Sequence, residues 1–458
     1  MNINLSSYKS IYFLGIGGIG MSALARYFKS KGFEVNGYDK TQTPLTDNLV
    51  KEGIGVHFED LGESVKELVG ELSETLVVLT PAIPKDMQEW NWLKEAGYTI
   101  LKRSEVLGVI TQNSKGLCVA GTHGKTTTST LLAHILTHTG HECNAFLGGI
   151  SSNYNTNYLP SLTSDYTVIE ADEFDRSFLR LSPFASVITS NDPDHLDIYG
   201  NEANFLEGFQ QYANLIDKEG VLVLKKGLKL TSNAMIKTYA IDDEADFSGS
   251  NLRFENGYQV FNVTFKGQVW DNVLLGLPGI HNAENALACV AMCDFLGLTE
   301  SEIRKGLKSF TGVKRRFEYH VRDNELVYID DYAHHPTEIH SLISSVRLLY
   351  PNHKITAVFQ PHLFSRTNDF MEEFAIELSK VDELLIMPIY PARELPIEGV
   401  TSDVLRKKIS KIKVSLLNHN QVLERLKNET KGVFLTVGAG DIDRLIQPLK
   451  QQFLANIG

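Results

Sequence analysis

Cysteine, long apolar runs and an excess of positive charge are all missing from this 458-residue sequence, and each absence excludes a class of protein. Four cysteines in so long a chain do not make the disulfide framework of small secreted domains. No apolar run approaches the roughly 20 residues that a membrane-spanning helix needs. Acidic residues outnumber basic ones by 56 to 44, so the basic face required for nucleic-acid binding is lacking. We therefore expect neither a membrane nor a nucleic-acid partner.

The sequence also lacks targeting and repeat signals. Its amino terminus has neither the basic start nor the apolar core of a signal peptide. Internal repeats, heptads and low-complexity segments are absent as well. With 43% hydrophobic and 22% charged residues, the composition is that of an ordinary globular protein. We expect a soluble, cytoplasmic protein of roughly three domains.

The clearest motif is Gly121-Thr-His-Gly-Lys-Thr126, which stands between an apolar strand, Leu117–Ala120, and a helical pattern of apolar residues. Strand, glycine loop and helix in this order predict phosphate binding, because the loop N–H groups and the helix N-terminus both attract an anion. Lys125 would reach the terminal phosphates, and the Thr126 hydroxyl would hold Mg²⁺. The strict pattern asks for glycine where Val119 stands, so a glycine-rich turn without a ligand is the alternative.

A second glycine loop, Gly15-Ile-Gly-Gly-Ile-Gly20, follows the predicted strand Ser10–Leu14. The next predicted strand, Phe33–Tyr38, ends at Asp39, 19 residues after the last glycine of the loop. This is the dinucleotide fingerprint, in which glycines let the backbone approach a pyrophosphate and the carboxylate accepts from a ribose hydroxyl. The pattern indicates NAD, but any nucleoside diphosphate group has the same two features. A close helix–strand turn without a ligand is the remaining alternative.

Two acidic clusters follow predicted strands in the middle of the chain. Strand Tyr166–Ile169 runs into Glu170-Ala-Asp-Glu-Phe-Asp175, and strand Ala185–Thr189 runs into Ser190-Asn-Asp-Pro-Asp-His-Leu-Asp197. Four carboxylates within six residues are costly unless they are solvated or bind cations. Beside a phosphate loop at the same sheet edge, Mg²⁺ is their natural partner. His195 alone would be structural, but the two clusters together favour a metal or phosphate role.

The alternation of strands and helices predicts an α/β fold of three domains. The polar stretch Thr111–Gly116 is interpreted as a linker, so a Rossmann-like first domain is expected over residues 1–109. A central phosphate-loop domain of the ATPase type is expected over 110–313. Short strands between charged turns predict an antiparallel elaboration of this domain over 220–276. A second Rossmann-like domain is expected over 314–458.

Polar residues follow the predicted strands of the last domain, where open α/β sheets keep their sites. The polar segments are Asp330–Pro336, Gln360–Arg366, Tyr390–Glu394 and Gly438–Asp441. Ahead of the last domain, Asn282 and Asn285 precede an apolar helix. These two amides would either hydrogen-bond an adenine edge or cap the helix.

Six motifs stand in the order and spacing found in the Mur ligases: Gly121–Thr126, Glu170–Glu173, Asp194–Asp197, His281–Asn285, Arg315–Phe317 and Asp331–Pro336. The chain resembles this family over its whole length. Three features are similar to the alanine-adding members in particular: Gly15–Ser22, the His-His-Pro-Thr-Glu run that ends at Glu338, and Phe359–His362. The resemblance implies a UDP-sugar domain, an ATP domain and an amino-acid domain. The first glycine loop would then hold the UDP part of a substrate and no nicotinamide.

The resemblance implies an ATP-dependent ligase of peptidoglycan precursor synthesis. Such an enzyme joins L-alanine to the lactyl carboxylate of UDP-N-acetylmuramate through an acyl phosphate. The expected cofactors are ATP and Mg²⁺, and the expected state is a monomer or weak homodimer. One alternative is a recycling ligase that adds a murein tripeptide to the same sugar. Another is an NAD-dependent oxidoreductase, which leaves the phosphate loop and both acidic clusters unexplained.

The resemblance also implies residue roles. ATP binding falls to Gly121, Thr122, His123, Gly124, Lys125, Thr126, Thr127, Asn282, Asn285, Arg316 and Asp331. UDP-sugar binding falls to Gly17, Gly18, Ile19, Gly20, Asp39 and Arg103. Binding of the amino acid falls to Tyr332, His334 and Arg366, and metal binding to Thr126, Glu173 and His195. The residues expected to act in catalysis are Lys125, His195, His334 and Arg366.

The sequence departs from the family at several positions. Several relatives have a carbamylated lysine that bridges the metals, whereas no lysine occurs here over residues 196–216. The alanine-adding members are similar in lacking it, so the bridging ligand stays open. Ser190 and Asp192 stand where relatives often have Asn and Glu. Leu363 stands where relatives commonly have arginine, which leaves Arg366 as the guanidinium for the amino acid.

Overall fold

The computed structural model describes residues 3–193, 196–392 and 394–457, which form two compact units. The first unit holds the chain up to Arg253 together with residues 260–276 and 282–311. The second unit holds the chain from Gly312 onwards together with residues 254–259 and 277–281. Among the helices of the described residues, none is both long and apolar enough to cross a bilayer.

The first sheet is parallel and follows a Rossmann-like pattern of alternating strands and helices. Its elements are β1 (Ser10–Leu14), α1 (Ile19–Ser30), β2 (Glu34–Tyr38), α2 (Pro44–Lys51), β3 (Gly55–His57), α3 (Lys66–Val69), β4 (Thr75–Leu79), α4 (Gln88–Glu95), β5 (Thr99–Lys102) and α5 (Arg103–Gln112), with 3₁₀ turns at Leu5–Ser7, Gly62–Val65 and Leu72–Glu74. The strand order is β3-β2-β1-β4-β5. The order reverses between β1 and β4, which puts the first glycine loop at the edge where such sheets bind ligands.

The second sheet has ten strands, and the phosphate loop follows one of its central ones. The elements are β6 (Lys115–Ala120), α6 (Lys125–His138), β7 (Asn144–Phe146), β8 (Tyr158–Leu159), β9 (Tyr166–Glu170), β10 (Pro183–Ile188), α7 (Leu196–Tyr199), α8 (Glu202–Asn214), β11 (Val221–Lys225), β12 (Met235–Ile241), β13 (Phe247–Glu255), β14 (Tyr258–Phe265), β15 (Gln268–Leu275), α9 (Ile280–Phe295) and α10 (Glu300–Ser309), with a 3₁₀ segment at Phe174–Arg180. The order is β15-β14-β13-β12-β11-β10-β6-β9-β7-β8. Because β6 pairs in parallel with both β9 and β10, the segments that follow these three strands meet at one edge.

The predicted antiparallel elaboration is only partly correct. Strands β11 and β12 pair in parallel, and so do β12 and β13, which corrects the prediction for this part. The remaining strands β13, β14 and β15 are neighbours joined by two-residue turns, which only antiparallel strands allow. Each turn has left-handed backbone at both residues: Asn256 (φ 52°) with Gly257 (φ 87°), and Lys266 (φ 50°) with Gly267 (φ 73°). These are the angles of hairpin turns whose twist matches that of the strands.

The edge strand β15 is covered by α10, which packs against it. The Arg304 side chain of this helix donates to the Asp271 carbonyl at 3.1 Å and lies over the Trp270 ring, 5.8 Å from its centre. Just beyond the strand, the Gly276 N–H donates to the Leu307 carbonyl at 3.1 Å. Backbone groups of this edge are therefore bonded to the neighbouring helix.

The second unit contains the third sheet. Its elements are β16 (Glu318–Arg322), β17 (Leu326–Asp331), α11 (Pro336–Leu349), β18 (Ile355–Phe359), α12 (Phe364–Asp369), α13 (Met371–Leu378), β19 (Glu383–Ile386), α14 (Ser402–Lys408), β20 (Lys413–Leu416), α15 (His419–Leu426), β21 (Gly432–Val437) and α16 (Ile446–Ile457), with a 3₁₀ segment at Asp441–Leu445. The order is β16-β17-β21-β18-β19-β20. All neighbouring strands in this sheet pair in parallel except β16 with β17, which adds an antiparallel edge to an otherwise doubly wound sheet.

The first two sheets share one apolar core, and the segment between them is not a loose linker. Tyr27 of α1 packs its ring 5.2 Å from that of Phe146 and 6.0 Å from that of Tyr158. The prediction of a linker over Thr111–Gly116 is wrong, because α5 continues to Gln112 and β6 begins at Lys115. Its polar side chains bond locally instead: the Thr111 hydroxyl donates to the Leu107 carbonyl, so polarity here does not mean irregular backbone.

Candidate active site

The phosphate loop, Gly121–Thr126, joins buried strand β6 to helix α6, and two of its glycines are required by the backbone. Gly121 has φ 132° and Gly124 has φ 82°, both in the region that disfavours side chains. A Cβ on Gly124 would lie 2.8 Å from Asn285 Oδ1, and one on Gly121 would overlap Thr189 Oγ1. Gly124 is also the N-cap of α6. The loop therefore forms a cradle at a helix N-terminus, and it fits a phosphate.

The loop is fixed in place by the segment that follows β10. The Thr122 hydroxyl donates to the Asp192 carbonyl at 2.8 Å, and the His123 N–H donates to Ser190 Oγ at 2.9 Å. Thr189 Oγ1 donates to the carbonyl of His123 and, at 3.2 Å, to that of Ala120. The second acidic cluster thus begins against the phosphate loop, as its position after a neighbouring strand predicts.

Lys125, the first residue of α6, is paired with Glu173. Its Nζ lies 2.9 Å from Oε1 and 2.7 Å from Oε2 of this carboxylate, which is almost completely buried. Burial alone would lower the pKa of Lys125, but the charges of Glu173, Asp172 and Glu170 outweigh it and raise the pKa. Lys125 is therefore a cation at neutral pH. The next side chain, Thr126, is partly exposed, and Thr127 after it is buried.

The acidic segment, Glu170–Asp175, ends in an unusual backbone turn. Asp175 has φ 53° and the next residue, Arg176, has φ 52°. Two consecutive left-handed residues are strained, and such strain is concentrated at functional sites. The Tyr199 hydroxyl donates to the Glu173 carbonyl at 2.7 Å, and the Arg176 guanidinium lies over the Tyr199 ring. These contacts fix Glu173 from its backbone side.

The first glycine loop, Gly15–Gly20, lies against Asp39 and Arg103. The Gly17 N–H donates to Asp39 Oδ2 at 2.7 Å, so this carboxylate is bonded to the loop itself. Arg103 lies against Gly20, where a Cβ would overlap its guanidinium. Gly18 is the N-cap of α1, and Ile19 is its first residue.

Arg103 also reaches the acidic segment of the second sheet. Its Nη2 lies 3.5 Å from Asp172 Oδ2, and the adjacent Lys102 lies 3.2 Å from Asp175 Oδ2. Close by, the Asn157 amide donates to the Ile19 carbonyl at 2.5 Å. The structure therefore brings the first glycine loop and the acidic segment together through the N-terminal end of α5.

Asn282 and Asn285 lie inside α9, which begins at Ile280. Neither residue is the N-cap of this helix, but Asn282 is its third residue, a position that can also take part in capping, so both interpretations stay open. Both are buried, and Asn285 faces the phosphate loop at Gly124. The adenine-binding interpretation remains as a prediction, and His195 lies outside the described residues.

In the second unit, the arginine turn, Arg315–Phe317, is held by Asp331 at the end of β17. Asp331 Oδ2 accepts from the Phe317 N–H at 2.7 Å, and Oδ1 accepts from the Ala333 N–H at 2.7 Å. Burial raises the pKa of Asp331 to about 6, although the Arg316 charge opposes the rise. Arg315 and Phe317 have φ of 62° and 49°, and the bonds to Asp331 hold this strained turn.

His334 lies between the arginine turn and helix α11. Its ring Nδ1 lies 2.9 Å from the Tyr332 carbonyl oxygen. The backbone N–H of His334 donates to Glu338 Oε2 at 2.9 Å. Burial, together with the Arg366 charge, lowers the pKa of His334 although Glu338 opposes the shift. The ring is therefore neutral at pH 7. A carbonyl only accepts, so the proton is on Nδ1 and Nε2 presents a lone pair.

Arg366 and His362 complete this group, which we call the histidine cluster (His334, His362 and Arg366). The ring centres of the two histidines are 5.9 Å apart, and Arg366 Nη1 lies 3.4 Å from His362 Nδ1. The intervening Leu363 has φ 70°, a strained angle for a branched side chain, and its N–H donates to the Tyr390 carbonyl at 2.9 Å. The cluster offers a lone pair beside a guanidinium, which suits an amino acid with its amine and carboxylate.

Sequence reasoning assigned no role to Glu338, although this carboxylate contacts both motifs of the second unit. Besides His334, it pairs with Arg316, whose Nη1 lies 3.4 Å from Oε1. The sequence signal that was available is proximity, since Glu338 lies in the first turn of α11, four residues after His334. Thr189 and Asn157 were missed because their partners come from distant parts of the chain.

Comparisons with known proteins agree with this arrangement along the chain. Residues 10–115 match the family model described as "Mur ligase family, catalytic domain". Residues 119–293 match "Mur ligase middle domain", and residues 315–441 match "Mur ligase, glutamate ligase domain".

Individual proteins of this family are similar to the chain in sequence and in fold. The chain is 49% identical over 453 residues to a UDP-N-acetylmuramate–L-alanine ligase of Phocaeicola vulgatus, covering 97% of this chain and 98% of the relative. A solved UDP-N-acetylmuramate-alanine ligase from Thermotoga maritima is 28% identical with a TM-score of 0.83, covering 97% of this chain and 99% of that one. A murein peptide ligase from Psychrobacter arcticus, 22% identical with a TM-score of 0.69 over 96% of this chain and 99% of that one, shares the fold.

Proposed function

Because the chain belongs to the Mur ligase family, we propose that it joins L-alanine to the lactyl carboxylate of UDP-N-acetylmuramate. It is an ATP-dependent, amide-forming ligase of peptidoglycan precursor synthesis. The relative at 49% identity has this activity in its name, over almost the full length of both chains. The murein peptide ligase is more distant and supports the fold alone. The fingerprint over Gly15–Asp39 fits the UDP part of the substrate as well as it fits NAD, so it does not favour an NAD-dependent oxidoreductase.

The first step transfers the terminal phosphoryl group of ATP to the lactyl carboxylate and gives an acyl phosphate. Two anions approach each other in this step, so it needs positive charge aimed at the transferring group. Lys125 supplies such a charge at the start of α6, and the loop N–H groups cradle the phosphates. Glu173, now paired with Lys125, would exchange this partner for a bound cation as Lys125 turns to the phosphates.

Mg²⁺ fits the donors at this site. This ion prefers oxygen ligands; Thr126 follows Lys125 in the chain, and the Glu173 carboxylate is paired with Lys125. When bound, Mg²⁺ would neutralise phosphate charge. With this chain's residues, Thr126 and Glu173 would hold the ion, and the strained turn after Glu173 would keep the carboxylate in place.

The second step is attack of the alanine amine on the acyl phosphate, which forms the amide and releases phosphate. The attacking amine must be neutral, so a group that accepts its proton speeds the step. His334 Nε2 has the required lone pair, and the bond from Nδ1 to the Tyr332 carbonyl fixes the ring orientation. Arg366 would bind the alanine carboxylate through two parallel hydrogen bonds. The strained backbone at Leu363 would orient the segment that carries Arg366.

One observation supports this proposal most directly: the phosphate loop places Lys125 against Glu173 in a chain that resembles amide-forming ligases throughout. The test is phosphate release from ATP, measured with each candidate substrate added separately. We expect release only when both UDP-N-acetylmuramate and L-alanine are present. Preference for a murein tripeptide over L-alanine would overturn the choice of amino acid. Tight NADH binding without any ATP hydrolysis would overturn the ligase altogether.

A further inference from the structure

A group of three side chains on β16 and β17 is not used by the reaction above. Glu318 and His320 stand on β16, and Asp330 stands opposite them on β17. The pairing register shifts between Tyr319 and Val321, so His320 is the extra residue of a β-bulge. Bulges redirect side chains and are conserved as designed features rather than defects. The bulge lies beside the carboxylates of Glu318 and Asp330. We call Glu318, His320 and Asp330 the β16–β17 cluster.

The histidine of this cluster has a buried nitrogen that no protein group satisfies. His320 Nε2 is inaccessible to solvent and makes no hydrogen bond within the described chain, and its side chain is 7% exposed. The nearest carboxylate oxygen, Glu318 Oε2, is 3.6 Å away. A buried polar atom without a partner is uncommon and costly, so it calls for an explanation.

The three ligand atoms are close enough to share one ion. One atom from each of Glu318, His320 and Asp330 lies within 4.8 Å of the others. Bonds of about 2.0–2.2 Å to a tetrahedral ion would place such atoms about 3.3 Å apart. A rotamer change of Glu318 could bring the ligand atoms from their present separation to the spacing that a bound ion requires. Glu318 is the longest and most exposed of the three side chains.

Both carboxylates are already oriented by donors. The Arg315 N–H donates to Glu318 Oε2 at 2.7 Å. Arg315 Nε donates to Asp330 Oδ2 at 3.1 Å, and Thr436 Oγ1 donates to Asp330 Oδ1 at 2.6 Å. Each carboxylate oxygen has a second lone pair for an ion, and metal-binding carboxylates are commonly hydrogen-bonded in this way. The Arg315 charge weakens attraction for a cation, which disfavours ions held by charge alone.

We propose that Glu318, His320 and Asp330 form a structural site for a divalent transition metal of the Zn²⁺ type. One imidazole with two carboxylates is a donor set for Zn²⁺ or Co²⁺ and not for Mg²⁺, which prefers oxygen ligands alone. A water molecule would complete the tetrahedron. Arg315 donates to both carboxylates, so an ion that fixes these carboxylates would also stabilise the arginine turn. This site is separate from the Mg²⁺ assigned to the phosphate loop.

The experiment is titration of the metal-free full-length protein with Zn²⁺ by calorimetry and with Co²⁺ by absorbance, without ATP. We expect one bound ion per chain, Co²⁺ bands of tetrahedral geometry and a rise in melting temperature with Zn²⁺. His320→Ala should weaken Zn²⁺ binding by more than the 10–100-fold that loss of an outer partner typically causes. Glu318→Gln, which keeps the size of the side chain, serves as a second variant if the first unfolds.

His340→Ala is the matched control, since this exposed histidine of α11 lies outside the cluster. It should bind Zn²⁺ as the unchanged protein does. Equal binding by the His320 and Glu318 variants would overturn the proposal, as would the absence of binding in the unchanged protein. Sulfur charge-transfer bands with Co²⁺ would also overturn it, because they would assign the ion to the buried cysteines.

Discussion

The phosphate loop and the histidine cluster are each assigned to one step of the proposed reaction, but they are made of different parts. Contiguous residues build the phosphate loop, and its donors are backbone N–H groups with one lysine. The histidine cluster takes its members from the segments after β17 and β18, and side chains supply its chemistry. Its strain lies at Leu363, whereas glycines take the left-handed positions of the phosphate loop.

This difference has consequences for how each site fails. A site made of backbone tolerates changes in its neighbours so long as the glycines remain. A site made of side chains depends on every contact that fixes a rotamer or a proton, such as the bond from His334 to the Tyr332 carbonyl. We therefore expect activity to be most sensitive, in the phosphate loop, to loss of the Lys125 charge and to replacement of its two left-handed glycines. In the histidine cluster, we expect substitutions to change how activity depends on pH.

The largest effect is expected from Lys125→Ala. Loss of the only side-chain cation in the loop should lower phosphate release by about 10³-fold, the range found when a transition-state donor is removed. The variant also leaves Glu173 buried without its partner, which should lower the free energy of unfolding by about 3–5 kcal/mol. Steady-state phosphate release and urea unfolding measure the two effects.

A double variant separates these two effects. Lys125→Met with Glu173→Gln removes both charges, so it should recover most of the lost stability while activity stays low. Lys226→Ala is the control, because the side chain of this lysine forms an exposed ion pair with Asp243. Activity in the stable double variant close to that of the unchanged protein would exclude Lys125 from phosphoryl transfer.

A smaller effect is expected from His334→Asn, at about 10²-fold in the rate of amide formation. Asparagine can still donate to the Tyr332 carbonyl, so the fold should be kept. In the unchanged protein, activity should fall as pH drops through the pKa of His334, which burial places below its ordinary value of about 6.5. Protonation then occupies Nε2. The variant should lose this acidic limb of the pH profile.

The adjacent histidine provides the control. His335 is the N-cap of α11, where its side chain accepts from the Thr337 N–H, and asparagine is also a good N-cap. His335→Asn should therefore leave both the rate and the pH profile unchanged. An acidic limb that survives in the His334 variant would assign the titration to another group.

The smallest effect is expected from Gly124→Ala, compared with Gly140→Ala. Both glycines have φ 82°, so alanine should cost about 1–2 kcal/mol of stability at either position. Only at Gly124 would the new Cβ meet Asn285, while nothing lies within 4 Å at Gly140. ATP affinity should fall about tenfold in the first variant and stay constant in the second. Equal ATP affinity in both would mean that the contact with Asn285 does not shape the site.

Local motifs made much of this molecule predictable from its sequence. The glycine loops after β1 and β6 and the carboxylates after β9 follow strands whose apolar runs are clear, and parallel strands bring such ends together. The sequence also placed His334 and Arg366 at strand ends of one sheet. These predictions needed only periodicity and the sequence spacing of a few residues.

Features that depend on distant partners were not predictable. Nothing local distinguishes parallel β11–β12–β13 from an antiparallel meander, because strand direction depends on where the chain crosses the sheet. The polar run that begins at Thr111 was misinterpreted as a linker because the Thr111 hydroxyl bonds to a carbonyl of its own helix, α5. The Lys125–Glu173 pair was also missed, since two residues assigned to different ligands bind each other here.

The covered edge at β15 bears on how this protein behaves in a crowded solution. An open edge strand offers its unpaired backbone groups to any other chain and so invites intermolecular sheet growth. Here Arg304 donates a hydrogen bond to the Asp271 carbonyl of the edge strand, and α10 packs against this strand. The β15 edge of this ten-stranded sheet is therefore less accessible for pairing with a strand of another chain.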